Sequence, residues 1–125
     1  MTNQELMAYA REAKERAYAP YSGFFVGAAL LCDDGSVYLG CNVENASFSV
    51  TCCAERVALF NAVCDKKIKF LALAVTASRN PCYPCGVCRQ ALAEFCRGDL
   101  KIVLEGENGV FDITLEELLP NSFEI

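Results

Sequence analysis

Nine cysteines and no histidine among 125 residues constrain this chain more than any other feature of its sequence. Nine is an odd number, so a scaffold in which every cysteine forms a disulfide is impossible within one chain. Without histidine, the chain cannot build a Ser-His-Asp or Cys-His catalytic site from its own residues. The N-terminal segment has neither the apolar run nor the small-residue cleavage site of a signal peptide. We therefore expect a cytoplasmic protein whose thiols are reduced, some of them holding a metal ion.

The composition favours one folded domain that binds small molecules. Apolar residues make up 54% of the chain, which argues against disorder, and a chain of this length can bury one core but not two. No linker or repeat divides the sequence, so we expect a single domain over residues 1–125. The net charge is −5, and no cluster of Lys and Arg offers a surface for nucleic acid. No segment approaches the ~20 apolar residues of a membrane helix, so we also expect no membrane partner.

Hydrophobic periodicity predicts strands interleaved with helices. Helices are predicted over 4–18 (ended by Pro20), 53–65 and 86–97, with a Thr114–Glu117 capping box opening a short last helix. Strands are predicted over 24–32, 37–43, 69–77, 101–105 and, at an edge, 110–113. The Asp33-Asp34-Gly35 turn signal predicts that the first two strands pair as a hairpin. The alternation predicts an α/β fold, a single mixed sheet with helices on its faces.

Two groups of cysteines lie at predicted helix starts. Cys85 and Cys88 form a Cys-x-x-Cys pair there, which puts two sulfurs within one turn, a spacing that suits a tetrahedral metal. A helix N-terminus carries partial positive charge and favours thiolate over thiol. Cys53, at the start of a separate helix, can supply a third thiolate. Three protein ligands leave one position for water, as in catalytic rather than structural zinc sites.

Other uses of these cysteines remain open at this stage. Cys52 or Cys82 could close a structural site with four cysteines, and Cys85 with Cys88 could form a redox pair. Glu55 bears on this choice, because a carboxylate beside three thiolates and a water indicates catalysis. It can approach the metal only if Cys53 lies at the cap or first position with non-helical geometry. Otherwise Glu55 is an acidic first-turn residue favoured by the helix dipole.

The charge of such a site predicts a role for an arginine. Zn²⁺ with three thiolates sums to −1, which weakens the pull of the metal on its water. A guanidinium that donates to a ligand sulfur offsets part of this charge. Arg56 and Arg89 each follow a cysteine of the proposed set closely in sequence. We favour Arg56, and a solvated surface position is about as plausible for Arg89.

These residues together resemble a known family. The motif Cys53-Ala54-Glu55-Arg56, followed by Pro84-Cys85-Gly86-Val87-Cys88-Arg89-Gln90, has the form of the zinc-dependent nucleoside deaminase signature. Further matching segments lie at 18–22, 24, 26–30, 40–45 and 116–120. On this evidence the sequence resembles cytidine deaminases of the small homotetrameric type over nearly its whole length.

The resemblance implies a three-layer α/β/α fold with a mixed five-stranded sheet. It implies one zinc ion per subunit, held by Cys53, Cys85 and Cys88. The implied enzyme is a hydrolase of pyrimidine salvage that converts cytidine and 2′-deoxycytidine to the uridine forms and ammonia. Glu55 would carry protons between water, ring N3 and the departing amine. A deaminase of a related cytosine nucleoside, such as blasticidin S, shares the second motif and is the nearest alternative; a non-catalytic zinc module is a more distant one.

The resemblance also assigns substrate contacts within the chain. Asn42 and Glu44 would hold the ribose, which agrees with their spacing of two on one predicted strand face. Phe24 would pack against the base, although a core position is the commoner fate of a phenylalanine. Backbone carbonyls near Ala54 and Pro84 would accept from the 4-amino group.

Neighbouring subunits would complete each site. The resemblance assigns this role to the segment from Ala46 to Phe48 and to Phe123. Phe48 stands where many relatives have tyrosine, so one hydroxyl that could bond substrate or an adjoining subunit is missing.

Overall fold

A mixed five-stranded sheet with helices on both faces organises the chain, and the computed structural model describes all 125 residues. The helices are α1 (Asn3–Lys14), α2 (Ala54–Cys64), α3 (Gly86–Ala93) and α4 (Leu115–Leu118), with a single 3₁₀ turn at Phe48–Val50. The strands are β1 (Val26–Cys32), β2 (Val37–Cys41), β3 (Phe70–Ala77), β4 (Lys101–Gly106) and β5 (Gly109–Thr114). The predicted α/β fold is confirmed.

The strand order is β2-β1-β3-β4-β5, and only β3 and β4 run parallel. β1 and β2 pair antiparallel across the turn at 33–35, as the hairpin signal predicted. Parallel neighbours need a crossover connection, and the segment carrying α3 supplies it between β3 and β4. The two sequence motifs therefore lie at the start of α2 and within this crossover.

The sheet is covered on both faces, which gives the three layers. One face packs against α1, where Leu6, Met7 and Ala10 contact small sheet residues. The opposite face carries the larger core, formed with α2, α3 and α4. Because β1 and β3 are covered on both sides, they are apolar along nearly their whole length. The longest helix has 12 residues, and none combines the length and apolarity needed to span a membrane.

The first helix ends at Lys14, four residues before its predicted end at Tyr18. Tyr18 is extended instead of helical, because its N–H donates to the Asn42 carbonyl at 3.0 Å and its own carbonyl accepts from the Glu44 N–H at 2.8 Å. This pairing with a segment distant in sequence competes with helix propagation and wins.

Both strands of the hairpin are also shorter than predicted. β1 begins at Val26 and β2 ends at Cys41. The Asn42 side chain accepts from the Val26 N–H at 2.9 Å and donates to the Phe24 carbonyl at 2.8 Å. A side-chain amide thus occupies backbone groups that a longer ladder would have used.

α3 ends at Ala93, four residues before the predicted end. The Leu92 carbonyl accepts from the N–H groups of both Phe95 and Cys96, so the chain tightens into a turn. Gly98, at φ 96°, then redirects the backbone toward β4.

The predicted capping box at α4 is half formed. Thr114 accepts from the Glu117 N–H at 3.2 Å, without a return bond from the Glu117 side chain. A complete box opens α1 instead, where Thr2 and Glu5 exchange side-chain and backbone hydrogen bonds. The sequence Thr-x-x-Glu at positions 2–5 carries the required signal.

Candidate active site

Three cysteine sulfurs converge at the starts of α2 and α3. The Sγ atoms of Cys53 and Cys85 lie 3.9 Å apart, and those of Cys85 and Cys88 lie 3.6 Å apart. All three sulfurs lie within 4.8 Å of one another. Zinc–sulfur bonds of about 2.3 Å in tetrahedral geometry put sulfurs about 3.8 Å apart. The sulfur set therefore fits a zinc ion with three cysteine ligands.

The local backbone explains why the sulfurs can meet. Cys53 and Cys85 are the N-cap residues of α2 and α3, with extended φ/ψ of −71°/152° and −70°/168°. Neither side chain makes a capping hydrogen bond with its own helix, so both sulfurs are free to turn toward each other. Two helix N-termini, each with partial positive charge, are thereby directed at the same point. The non-helical geometry of Cys53 is also the condition under which Glu55 can approach that point.

Neither of the two alternative cysteines joins the sulfur group. Cys52 pairs its backbone with Val43 in both directions, at 3.0 Å each, and its side chain lies outside the group. Cys82 packs against the larger core, and burial raises the pKa of its thiol to about 11. The cluster thus has three sulfur donors rather than four.

Arg56 is the arginine that contacts the sulfurs. Its Nη2 donates to Cys53 Sγ at 3.4 Å, while its Nε is buried without a partner. Hydrogen bonds from the Cys88 thiol and from the Arg56 guanidinium hold the pKa of Cys53 well below its usual range. Arg89 contacts backbone carbonyls instead, of Pro84 and Leu118.

Glu55 is a buried carboxyl group beside these sulfurs. The residue is 4% exposed and makes no ion pair. Burial, with a smaller contribution from the nearby Cys53 sulfur, raises the pKa of Glu55 to about 7. A carboxyl group with a pKa near neutrality can both accept and release a proton under physiological conditions. This is the behaviour of a general acid–base group.

Gly40 of β2 sets how closely α2 lies on the sheet. A Cβ atom at this position would lie 2.3 Å from the Ala54 carbonyl oxygen and 2.4 Å from the Ala58 amide nitrogen. The Ala54 carbonyl oxygen therefore lies close to β2, and its role as an acceptor for substrate stays a prediction. The backbone group that Ala54 leaves free at the helix start is its N–H.

Glu44 lies beyond the end of β2 and is held as a carboxylate. It accepts from the backbone N–H groups of Tyr21 at 2.9 Å and Ser22 at 3.1 Å, and from the Ser22 hydroxyl. The Ser22 hydroxyl, followed by these backbone donors, lowers the pKa of Glu44. Asn42 is buried beside the same 21–26 segment, which its side chain bonds from the other direction. Sequence reasoning missed Ser22 as a contact of Glu44, although it lies in the matching segment 18–22.

The remaining predicted contacts are divided between core and surface. Phe24 packs partly against the larger core, with the Arg79 guanidinium carbon 5.9 Å from its ring centroid. Pro84 is buried, and Ala46 is exposed. Phe48 and Phe123 are 76% and 68% exposed.

A groove of about 390 Å³ opens beside Glu44. Its lining residues are Tyr21, Ser22, Glu44, Asn45, Phe48 and Thr51. The rings of Tyr21 and Phe48 meet edge to face with centroids 6.2 Å apart. Neither Glu55 nor the sulfur cluster lines this groove.

Comparisons of sequence and of structure with known proteins all identify similarity to cytidine deaminases. The family model for the zinc-binding region of cytidine and deoxycytidylate deaminases matches residues 1–104. A cytidine deaminase of Sporosarcina psychrophila is 49% identical over 125 residues, covering 98% of this chain and 92% of that protein. One from Halalkalibacterium halodurans is 50% identical over 125 residues, covering 98% and 95%. The crystal structure of cytidine deaminase from Burkholderia pseudomallei has a TM-score of 0.92 at 45% identity, covering 98% of this chain and 100% of that one.

Proposed function

The chain belongs to the cytidine and deoxycytidylate deaminase family, and we propose that it hydrolyses cytidine and 2′-deoxycytidine to uridine and 2′-deoxyuridine with release of ammonia. The observation that carries the proposal is the buried Glu55 carboxyl beside three convergent cysteine sulfurs. The enzyme is a hydrolase acting on the carbon–nitrogen bond of a cyclic amidine.

Cys53, Cys85 and Cys88 would hold the zinc ion of this family. When bound, zinc supplies Lewis-acid chemistry, lowering the pKa of a water from about 15.7 toward about 7. The contact of Arg56 with Cys53 offsets part of the negative charge of three thiolates. Arg56 would therefore preserve the ability of the zinc ion to lower the pKa of its water.

Glu55 is proposed to move both protons of the reaction. It takes a proton from the attacking water and gives it to ring N3, while the oxygen adds to C4. It then takes the remaining proton from the new hydroxyl on C4 and gives it to the amine, and the C4–N bond breaks to release ammonia. Burial supports this role, since a carboxyl group with its pKa near 7 can both accept and release a proton near neutral pH.

The nucleoside is proposed to lie between Glu44 and the sulfur cluster. The Glu44 carboxylate can accept from a sugar hydroxyl, and Asn42 keeps one amide hydrogen and one lone pair beyond its bonds to the backbone. Phe24 would pack against the base. The second lone pair of the Pro84 carbonyl would accept from the 4-amino group. The free N–H of Ala54 would face the same site.

A homotetramer with shared sites would complete this arrangement. Support comes from the separation between the Glu44 groove and Glu55 within one chain, and from the exposure of Phe48, Val50 and Phe123. Apolar side chains this exposed favour burial against another surface. Ala46, Phe48 and Phe123 would then reach the site of a neighbour. Because a site of three thiolates requires reduced cysteines, we place the enzyme in the cytoplasm, in pyrimidine salvage.

Ultraviolet absorbance tests the reaction directly. Purified, zinc-loaded protein is added to cytidine or 2′-deoxycytidine, and conversion to the uridine forms is followed, with Glu55→Gln as the inactive control. Turnover of both nucleosides with release of ammonia is expected. Turnover of blasticidin S with neither of them, at confirmed zinc occupancy, would contradict the proposed substrate. Counting reactive thiols in the zinc-loaded protein separates six, for a three-cysteine site, from five, for a four-cysteine site.

A further inference from the structure

Arg89 joins two segments of the chain that are distant in sequence. Its Nε donates to the Pro84 carbonyl oxygen at 2.6 Å, and its Nη1 donates to the Leu118 carbonyl oxygen at 2.8 Å. The side chain is half-buried and makes no ion pair. Its positive charge is therefore directed at two backbone carbonyls, and charge-assisted hydrogen bonds of this kind are stronger than neutral ones.

The Pro84 carbonyl lies next to the sulfur cluster in the sequence. Pro84 is buried and directly precedes Cys85, the N-cap of α3 and a member of the sulfur cluster. The proline ring fixes φ, so rotation about ψ is the main freedom left to this carbonyl. The hydrogen bond from Arg89 removes that freedom and leaves the second lone pair of the oxygen available.

The other end of the bridge is the C-terminal segment. Leu118 is the last residue of α4, and the adjacent side chain, Gln90, donates to the Phe123 carbonyl at 3.1 Å. Arg89 and Gln90 thus share the C-terminal segment but differ in one respect, since only Arg89 also contacts Pro84. This difference makes Gln90 a matched control.

We propose that Arg89 is a positioning residue that aims the Pro84 carbonyl at the 4-amino group of the substrate. The inference rests on the proposed function, in which this carbonyl accepts from cytosine. The 4-amino group of cytosine donates hydrogen bonds, whereas the 4-oxo group of uracil only accepts them. A rigidly aimed carbonyl therefore attracts substrate and repels product, so Arg89 contributes to discrimination between them.

The test compares Arg89→Gln, Arg89→Lys and Gln90→Ala with the wild-type chain, all zinc-loaded. The measurements are kcat and KM for cytidine, the inhibition constant of uridine, zinc per chain and the melting temperature. Arg89→Gln should lose about ten- to a hundredfold in kcat/KM for cytidine, as expected for a lost charge-assisted hydrogen bond. Uridine inhibition should stay the same or tighten, so the ratio of cytidine KM to uridine inhibition constant should rise. Zinc content should be unchanged.

The two other variants sharpen the result. Lysine offers a point charge rather than a fork, so Arg89→Lys can serve one carbonyl but not both, and should give a smaller change of the same kind. Gln90→Ala loosens the C-terminal segment alone, so any effects on cytidine and uridine should run in parallel. If Arg89→Gln fails to fold, Arg89→Lys carries the same measurement.

The remaining outcomes contradict either the role of Arg89 alone or the proposed function as a whole. An unchanged ratio in a folded, active Arg89 variant would overturn the inference, and so would parallel changes for both ligands or loss of zinc. A wild-type chain that binds zinc but deaminates neither nucleoside would instead overturn the proposed function, and the inference with it.

Discussion

α1 and the two helices that carry the sulfur cluster, α2 and α3, lie on opposite faces of the sheet and begin in different ways. α1 opens with a full capping box, in which Thr2 accepts from the Glu5 N–H at 3.1 Å and the Glu5 side chain accepts in return. α2 and α3 open with Cys53 and Cys85, whose side chains cap nothing. A good N-cap stabilises a protein by about 1 kcal/mol. The starts of α2 and α3 lack this stabilisation, because neither cysteine side chain makes a capping hydrogen bond. The uncapped helix starts leave sulfurs and N–H groups free to bind other groups.

In contrast, α1 and α2 approach the sheet in the same way, each over a glycine. Gly27 of β1 lies under α1, where a Cβ atom would lie 2.1 Å from the Ala10 carbonyl oxygen. Gly40 of β2 lies under α2 with a comparable distance of 2.3 Å to the Ala54 carbonyl oxygen. Under α1 the close contact serves packing alone, whereas under α2 it also places Glu55. A glycine under each helix therefore allows close packing, but only the glycine under α2 is expected to affect activity.

The largest difference between the two faces is expected when the first-turn glutamates of α2 and α1 are each replaced by glutamine. Glu55→Gln should keep the fold and zinc but lose about 10²–10⁴ in kcat, because the amide that replaces the buried carboxyl group beside the sulfur cluster cannot carry protons. Glu5→Gln, the matched change at the start of α1, should leave kcat unchanged. Steady-state kinetics at equal zinc occupancy measure both. Near-normal turnover by Glu55→Gln would show that its assigned role is wrong.

Cys85→Ser gives α3 the kind of cap that α1 has. We expect zinc affinity to fall by more than about a hundredfold, since losing a ligand should exceed the effect of losing a residue that supports one. In the metal-free chain the same change should be neutral or stabilising by up to about 1 kcal/mol, because serine is a good N-cap. Zinc titration with a competing chelator and urea unfolding measure the two effects.

Cys82→Ser is the control for this substitution. It should keep full zinc occupancy, because Cys82 lies outside the sulfur cluster. Zinc loss from Cys82→Ser would show that a fourth cysteine closes the site.

Gly40→Ala and Gly27→Ala compare the two close contacts. Each should destabilise the fold by about 1–3 kcal/mol, because the added methyl group meets helix backbone that cannot move aside freely. Gly40→Ala alone should also lower kcat, since it displaces the first turn of α2 with Glu55. Urea unfolding gives the free energies, and kinetics well below the unfolding transition give kcat. Equal losses of kcat in both variants would mean that general destabilisation, rather than displacement of α2, is responsible.

The smallest effect is expected at the cap of α1. Thr2→Ala should cost about 1 kcal/mol of unfolding free energy by removing the Thr2 side of the capping box. Its kcat and KM for cytidine should match the wild-type values, because α1 covers the face opposite the sulfur cluster. A change in KM would indicate that the two faces are coupled through the sheet.

Features encoded within a few residues could be predicted from the sequence. The hairpin followed from the turn at 33–35, and the mixed sheet with covered faces followed from the apolar strands between amphipathic helices. Cys53, Cys85 and Cys88 were proposed from their spacing at helix starts, and these three sulfurs converge. The substrate roles of Asn42, Glu44 and Phe24 stay predictions.

Features that depend on partners distant in sequence could not be predicted. The early end of α1 depends on the pairing of Tyr18 with the segment around Val43. The contacts of Arg89 with the carbonyls of Pro84 and Leu118 depend on where α4 packs. The separation of the Glu44 groove from the sulfur cluster depends on how the loops at 21–22 and 44–51 pack beside the starts of α2 and α3.

The sequence by itself determined the fold class, the helix starts and the three sulfur donors, because spacing along a helix or strand directly determines which side chains are neighbours. The tertiary structure alone decided the ends of the elements, the burial that raises the pKa of Glu55, and the two carbonyl partners of Arg89. Burial and hydrogen bonding between distant segments arise only when the layers pack together, and they compete with local preferences that the sequence pattern expresses.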